Sequence, residues 1–231
     1  IVIIENFAIK MNFNFFKLYL QKKLILIFLM GICSGIPLYL ILSTLFIWLT
    51  RENIDISTVG LFALTQLPWT LKFLWAPFVD NFRIPFFYKV LGHRKSWLFL
   101  TQIFLIISII LLGYSNPAEN LYLTAFFSLM VAAFSANQDI IIDAFRIEIL
   151  NDSSQGAGAA MTQFGYRIGG IMAGAGALYL REIYSWSEIF LGIAILIFLL
   201  MVVTIFLIPV KSSKKNKNEK NLIKPFLEFV N

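Results

Sequence analysis

The sequence predicts an all-α polytopic membrane protein of six transmembrane helices, on three observations. Of its 231 residues, 59% are apolar and only 14% are charged, and mean hydropathy is +0.80. Ordinary soluble domains carry about 25% charged residues, and a soluble fold of this length has too little interior to hide so much apolar surface. Long apolar runs recur along the chain, each near the ~20 residues a helix needs to cross a ~30 Å hydrocarbon slab. Short segments rich in Asn, Asp, Ser, Gly and Pro separate them, and those residues favour turns.

Residues 1–23 form a mixed N-terminal segment ending in Gln21-Lys22-Lys23. The first span covers about residues 24–49, and Gly31, Gly35 and Pro37 inside it predict close helix packing and a kink. A polar turn follows at 50–57, where Ser57 is the expected N-cap of the second span, about 58–78. That span contains Lys72 and ends near Pro77 and Asp80. Residues 80–96 are a long polar connection, and the third span runs from about 97 to 114. The turn at 115–120 leads to the fourth span, about 121–150. The turn at 151–155 leads to the fifth, about 156–180, which is rich in Gly and Ala. A short loop precedes the sixth span, which ends at Pro209. The bundle is therefore expected over 24–209, with a basic tail over 210–231.

An even number of spans places both termini on one side. That side holds four lysines in the N-terminal segment, Arg83, Lys89, Arg94 and Lys95 in the second connection, and six lysines between Lys211 and Lys224. The opposite loops hold Arg51 and Arg181. Positive charge accumulates on the cytoplasmic side of membrane proteins, so both termini are expected in the cytoplasm.

The fourth span carries Asp139, Asp143 and Arg146. Each charge at the bilayer centre costs about 2.5–3.5 kcal/mol even on the lenient insertion scale. At ~100° per residue all three fall within about 60° of one helix face. That face must look into protein or a water-filled cavity. Asp139 and Asp143 read as substrate contacts or proton carriers; the alternative is an ion pair with Lys72 or Arg167 that fixes helix register. Arg146 lies near the span end and can snorkel. Arg167, in Gly165-Tyr166-Arg167-Ile168-Gly169-Gly170, lies too deep for that. It suits an anionic substrate group or an acid of the fourth span, while the small-xxx-small spacing around it permits close backbone approach. Gln138, with Gln66, Trp69, Gln102 and Gln163, offers the amides and aromatic faces of a sugar cavity, or hydrogen bonds between helices.

One cysteine, Cys33, and one histidine, His93, leave no disulfide framework and no metal site. No CxxC, HExxH, phosphate loop or GxSxG occurs. Neither a catalytic residue, a metal, a cofactor nor a nucleic-acid partner is expected, and a membrane enzyme is disfavoured because no nucleophile–base set is visible.

The connection after the second span resembles the signature loop of the major facilitator superfamily, with Asp80 at the helix end followed by Gly92-His93-Arg94-Lys95 after a longer intervening stretch. Gly35-Ile36-Pro37-Leu38, Lys72-Phe73-Leu74-Trp75-Ala76-Pro77, Ser135-Ala136-Asn137-Gln138-Asp139-Ile140, Asp143-Ala144-Phe145 and the two glycine-rich segments at 156–160 and 165–169 are similar to one branch, the AmpG muropeptide permeases with the related acetyl-CoA transporters. The resemblance implies proton-driven import of anhydro-muropeptides, sugar–peptide small molecules, across a bacterial inner membrane. It also implies cavity or coupling roles for Lys72, Asp139, Asp143 and Arg167. Members of the family pair two six-helix halves around the site. This chain resembles the first half, with residues 211–220 similar to the linker between halves. The expectation is a truncated or split permease whose partners are membrane lipid and a second six-helix chain or a second copy. The alternatives are a homodimeric six-helix transporter of another small metabolite and a remnant without transport.

Overall fold

The computed structural model describes residues 17–208, and all regular structure there is helical. The expected linker-like tail and most of the N-terminal segment lie outside the described residues. The helical runs are α1 (Lys22–Arg51), α2 (residues 56–81), α3 (Phe87–Leu91), α4 (His93–Tyr114), α5 (Leu121–Ile149), α6 (residues 155–180) and α7 (Trp186–Leu207). Four of them, α1, α4, α5 and α7, are long and apolar enough to cross a membrane.

The other two long runs are interrupted. α2 is a chain of short α and 3-10 pieces, with Pro68 and Pro77 each in the first turn of a new piece. Proline lacks an N–H and tolerates only a helix start, so each one resets the run. α6 widens into a π-helical turn at Met172–Gly176, as α1 does at Leu40–Leu45 after Pro37.

Caps set the boundaries. α2 starts two residues earlier than expected because Asp55, not Ser57, is its N-cap: the Asp55 carboxylate accepts from the Ser57 and Thr58 amides. Asn120 caps α5, and Ser185 with Glu188 forms a capping box at α7. α4 begins at His93, inside the expected polar connection. Its N-cap, Gly92, has φ 80° and ψ 176°, a conformation open essentially to glycine alone.

α1 and α5 are central. α6 lies along α1, α2 lies on α5, and α4 and α7 pack together behind them. The α1–α6 contact rests on a glycine seam, as the small-residue spacing predicts. A Cβ on Gly31 or Gly35 would strike the Thr162 or Tyr166 backbone carbonyl, and one on Gly165 or Gly169 would strike that of Phe28 or Ile32. The pairs Gly31–Thr162 and Gly35–Tyr166 advance together, so α1 and α6 run parallel.

The other contacts define direction in the same way. Lys23–Ile149 and Ser34–Asp139 make α1 and α5 antiparallel. Arg94–Glu148 and Thr101–Asn137 make α4 and α5 antiparallel. Trp69–Ser135 and Lys72–Asp139 make α2 and α5 parallel. Trp186 stacks on Trp48 at 5.5 Å, while Ile208 packs with Leu24, so α7 opposes α1. The six long runs thus alternate in direction along the chain.

The interior divides into two apolar clusters. One joins the C-terminal half of α1 to α4, α6 and α7 through residues such as Ile36, Leu45, Trp48, Ile109, Ala173 and Phe190. The other joins the N-terminal end of α1 to the end of α5 through Leu24, Ile27, Leu98, Ile141 and Phe145. Between them, at mid-height, lie Ser34, Thr101, Gln102, Ser135, Asn137, Gln138 and Asp139.

Candidate functional site

The polar layer converges on Asp139. Its carboxylate accepts a hydrogen bond from the Ser34 hydroxyl of α1 at Oδ1. Lys72 of α2 places its Nζ 3.8 Å from Oδ2. Tyr166 of α6 lies within electrostatic reach of the carboxylate and sets its ring edge-on to Tyr39 of α1, centroids 6.0 Å apart. Three helices, α1, α2 and α6, therefore face the one carboxylate that α5 carries. The Asp139 side chain is 14% exposed and that of Lys72 is 35% exposed, so the acid is sheltered and the ammonium reaches outward.

Local structure explains these positions. Lys72 opens a 3-10 turn, Lys72–Leu74, between the two proline-started pieces of α2. Trp69 and Lys72, three apart, face Ser135 and Asp139, four apart, on the parallel α5; the Trp69 indole N–H donates to the Ser135 hydroxyl at 3.3 Å. Behind them the Asn137 amide donates to Thr101 of α4 at 3.2 Å.

The other residues expected at the site are distributed differently. Asp143, one turn beyond Asp139, has a 50% exposed side chain and pairs with Arg146 at 3.6 Å. Arg146, expected to snorkel, is held in this i,i+3 pair on the same face. Arg167 is exposed and makes no ion pair among the described residues. The sequence allowed either cation as partner of the fourth-span acid, and the structure selects Lys72. Arg167 nevertheless sits at the depth of Asp139, since Tyr166 is level with Gly35 and Asp139 with Ser34. Gln138 is fully buried, and neither its amide nitrogen nor its oxygen has a hydrogen-bond partner among the described residues. It faces helices rather than an opening.

The loop motif closes one end of the bundle. Arg94 donates from Nη1 to Asp80 at 2.6 Å and from Nε and Nη2 to Glu148 at 2.9 and 2.7 Å. Planar guanidinium geometry permits such fork contacts. The single side chain ties the end of α2, the start of α4 and the end of α5 together. At the same end Lys23 donates to the Ile149 carbonyl at 2.9 Å. Lys95 is buried and makes no ion pair among the described residues. Cys33 is fully buried, as a small residue in an apolar span should be.

Sequence reasoning missed Ser34, Tyr166 and Glu148 as partners. Ser34 had a signal, a hydroxyl between two helix-packing glycines. Glu148 had one too, an acid at the end of a span whose neighbouring connection is basic. Among the described residues no group of three or more His, Cys, Asp or Glu can hold a metal ion.

Comparison with known proteins places this arrangement. The Major Facilitator Superfamily pattern matches residues 27–230. "Putative transporter AmpG 1" of Rickettsia bellii is 40% identical over 186 residues, 80% of this chain and 45% of that protein. "Putative transporter AmpG 4" of Rickettsia felis is 40% identical over 225 residues, 92% of this chain and 53% of that protein. "Anhydromuropeptide permease" of Escherichia coli is 35% identical over 196 residues, 84% and 39%. The chain spans about half the length of the curated relatives it matches.

Proposed function

This chain belongs to the Major Facilitator Superfamily, and we propose that it forms one side of a proton-coupled inner-membrane permease for anhydro-muropeptides. It is a membrane transporter sequence of the muropeptide-permease kind. Six crossings, with both termini cytoplasmic, are part of this proposal. The alternating directions of the six long runs support it, as does the parallel course of α1 and α6 from Gly31–Thr162 to Ser43–Gly174, about 18 Å at 1.5 Å per residue. The basic residues Lys22, Lys23, Arg83, Lys89 and Arg94 share one end.

The observation that carries the site is Asp139 shared between Lys72 and Ser34 in the mid-height polar layer. A carboxylate with a cation at 3.8 Å can exchange that cation for a proton, releasing the ammonium to an anionic group such as a peptide carboxylate. This exchange couples proton to solute without moving net charge through lipid. Arg167, level with Asp139 and exposed, gives a second anchor for an anion. An unpaired guanidinium at that depth requires a polar or protein surround rather than acyl tails. A second helical bundle over the α2 and α6 flanks supplies it and completes the pathway, consistent with the greater length of the relatives.

The test is uptake of labelled anhydro-muropeptide by vesicles carrying this chain alone, and by vesicles carrying it in place of the corresponding part of the Escherichia coli permease. The chimaera should import the sugar–peptide with proton dependence, and Asp139→Asn should remove that dependence while binding persists. A chimaera that inserts and folds but imports nothing, or an Asp139→Asn variant with unchanged proton dependence, would overturn the reading.

A further inference from the structure

The connection between α2 and α4 carries features the transport site does not use. α4 has 22 residues, about 33 Å at 1.5 Å per residue, which matches the ~30 Å hydrocarbon slab. Its first residue, His93, therefore lies at one membrane surface, and residues 82–92 lie at headgroup level. This segment is held firmly. The Trp97 indole N–H donates to the Phe82 carbonyl at 2.8 Å, Phe82 stacks on Phe78 at 5.0 Å, and Phe87 of α3 packs against Phe99 at 5.7 Å.

What it presents outward is both apolar and basic. Phe86, with a positive φ of 71°, is 76% exposed, and Val90 is 70% exposed. Arg83 and Lys89 are exposed beside them. The Arg83 guanidinium is stacked 4.9 Å from the Tyr88 ring centroid, which fixes its direction. Of the acids at this end, Asp80 and Glu148 are taken by Arg94 and Asp152 is exposed in the turn after α5, while no ion pair among the described residues uses Arg83 or Lys89. Lys22 adds to the same positive surface.

We propose that residues 82–91 form an interfacial anchor in which Arg83 and Lys89 bind the headgroup phosphate of an anionic phospholipid while Phe86 and Val90 enter the acyl boundary. The pairing of charge with apolar surface selects lipid. A soluble anion would engage the cations and gain nothing from Phe86 or Val90, whereas an interfacial segment uses both.

The experiment uses the full chain in nanodiscs of phosphatidylcholine, with and without phosphatidylglycerol. A nitroxide is attached through Val90→Cys; the native Cys33 is fully buried, so the label reports one site. The label should sit about 5–10 Å into the headgroup–acyl boundary and move deeper with phosphatidylglycerol. Native mass spectrometry should show retained phosphatidylglycerol, reduced about fivefold by each of Arg83→Gln and Lys89→Gln, with thermal unfolding unchanged. A label as accessible to aqueous relaxant as a solvated loop would overturn the proposal. So would retention indifferent to the double variant, lipid displaced by free inorganic phosphate, or label protection confined to a dimeric fraction.

Discussion

Lys72 on α2 and Asp139 on α5 stand 3.8 Å apart, and the Ser34 hydroxyl of α1 occupies the other carboxylate oxygen. The pair is asymmetric, a sheltered acid and a cation with a path outward. Under the proposed function, that asymmetry separates a residue that stores charge from one that can leave to meet a solute.

Lys72→Met removes the cation and leaves Asp139 with Ser34 alone. Because Lys72 is about one-third exposed, the cost falls below the 3–5 kcal/mol of a fully buried pair, at about 1–2 kcal/mol. Asp139→Asn keeps an acceptor for Ser34 and costs less. The Lys72→Met/Asp139→Asn double variant should be more stable than the sum of the singles predicts, measured by thermal unfolding in detergent. Strict additivity would show that the two side chains are not coupled.

Gly165→Ala and Gly35→Ala each insert a methyl group against the facing backbone carbonyl, of Phe28 and Tyr166 respectively. A backbone cannot yield as a side chain does, so the helices must part, at a cost of about 1–3 kcal/mol each. Gly192→Ala on α7 meets nothing within 4 Å and should be neutral or gain up to ~1 kcal/mol through helix propensity. Melting temperatures of the three variants in one detergent decide this. Equal melting temperatures would show that the glycine seam does not set the α1–α6 distance.

Arg94→Lys keeps the charge but loses the fork that reaches Asp80 and Glu148 together. The loss should be about 1 kcal/mol at this partly exposed site, and Glu148→Gln should lose part of the same energy rather than an independent amount. A double-mutant cycle on Arg94 and Glu148 measures the shared fraction.

Asp55 tests the start of α2 by pH. The Ser57 hydroxyl and then the Thr58 amide hold its carboxyl below the usual carboxylate range. A lowered folded value means the cap is fully present above the ordinary carboxylate pKa and is lost as pH falls through the folded value. With the intrinsic pH dependence of exchange divided out, protection of the Ser57 and Thr58 amides should therefore fall only in acid in the native chain, and already be lost at neutral pH in Asp55→Ala. Identical protection in the two proteins at neutral pH would count against the cap.

Much of this protein is legible in its sequence because hydropathy, turn residues and small-residue spacing act locally. The helical runs and the close backbone approach at the glycines of α1 and α6 follow from them, whereas the Arg94 link to Asp80 and Glu148 is read only from the structure. The breaks in α2 were signalled only by Pro68 and Pro77, since a proline marks where a helix restarts but not how the pieces then pack. Tertiary structure alone chose the partner of Asp139. Lys72 and Arg167 are both cations within apolar runs and are equivalent to any local rule. α6 spends its glycine face on α1, which turns Arg167 outward. α2 runs parallel to α5 in a register that sets Trp69 and Lys72 against Ser135 and Asp139. Helix direction and register come from contacts far apart in the chain, and they decide which of two equal charges reaches the acid.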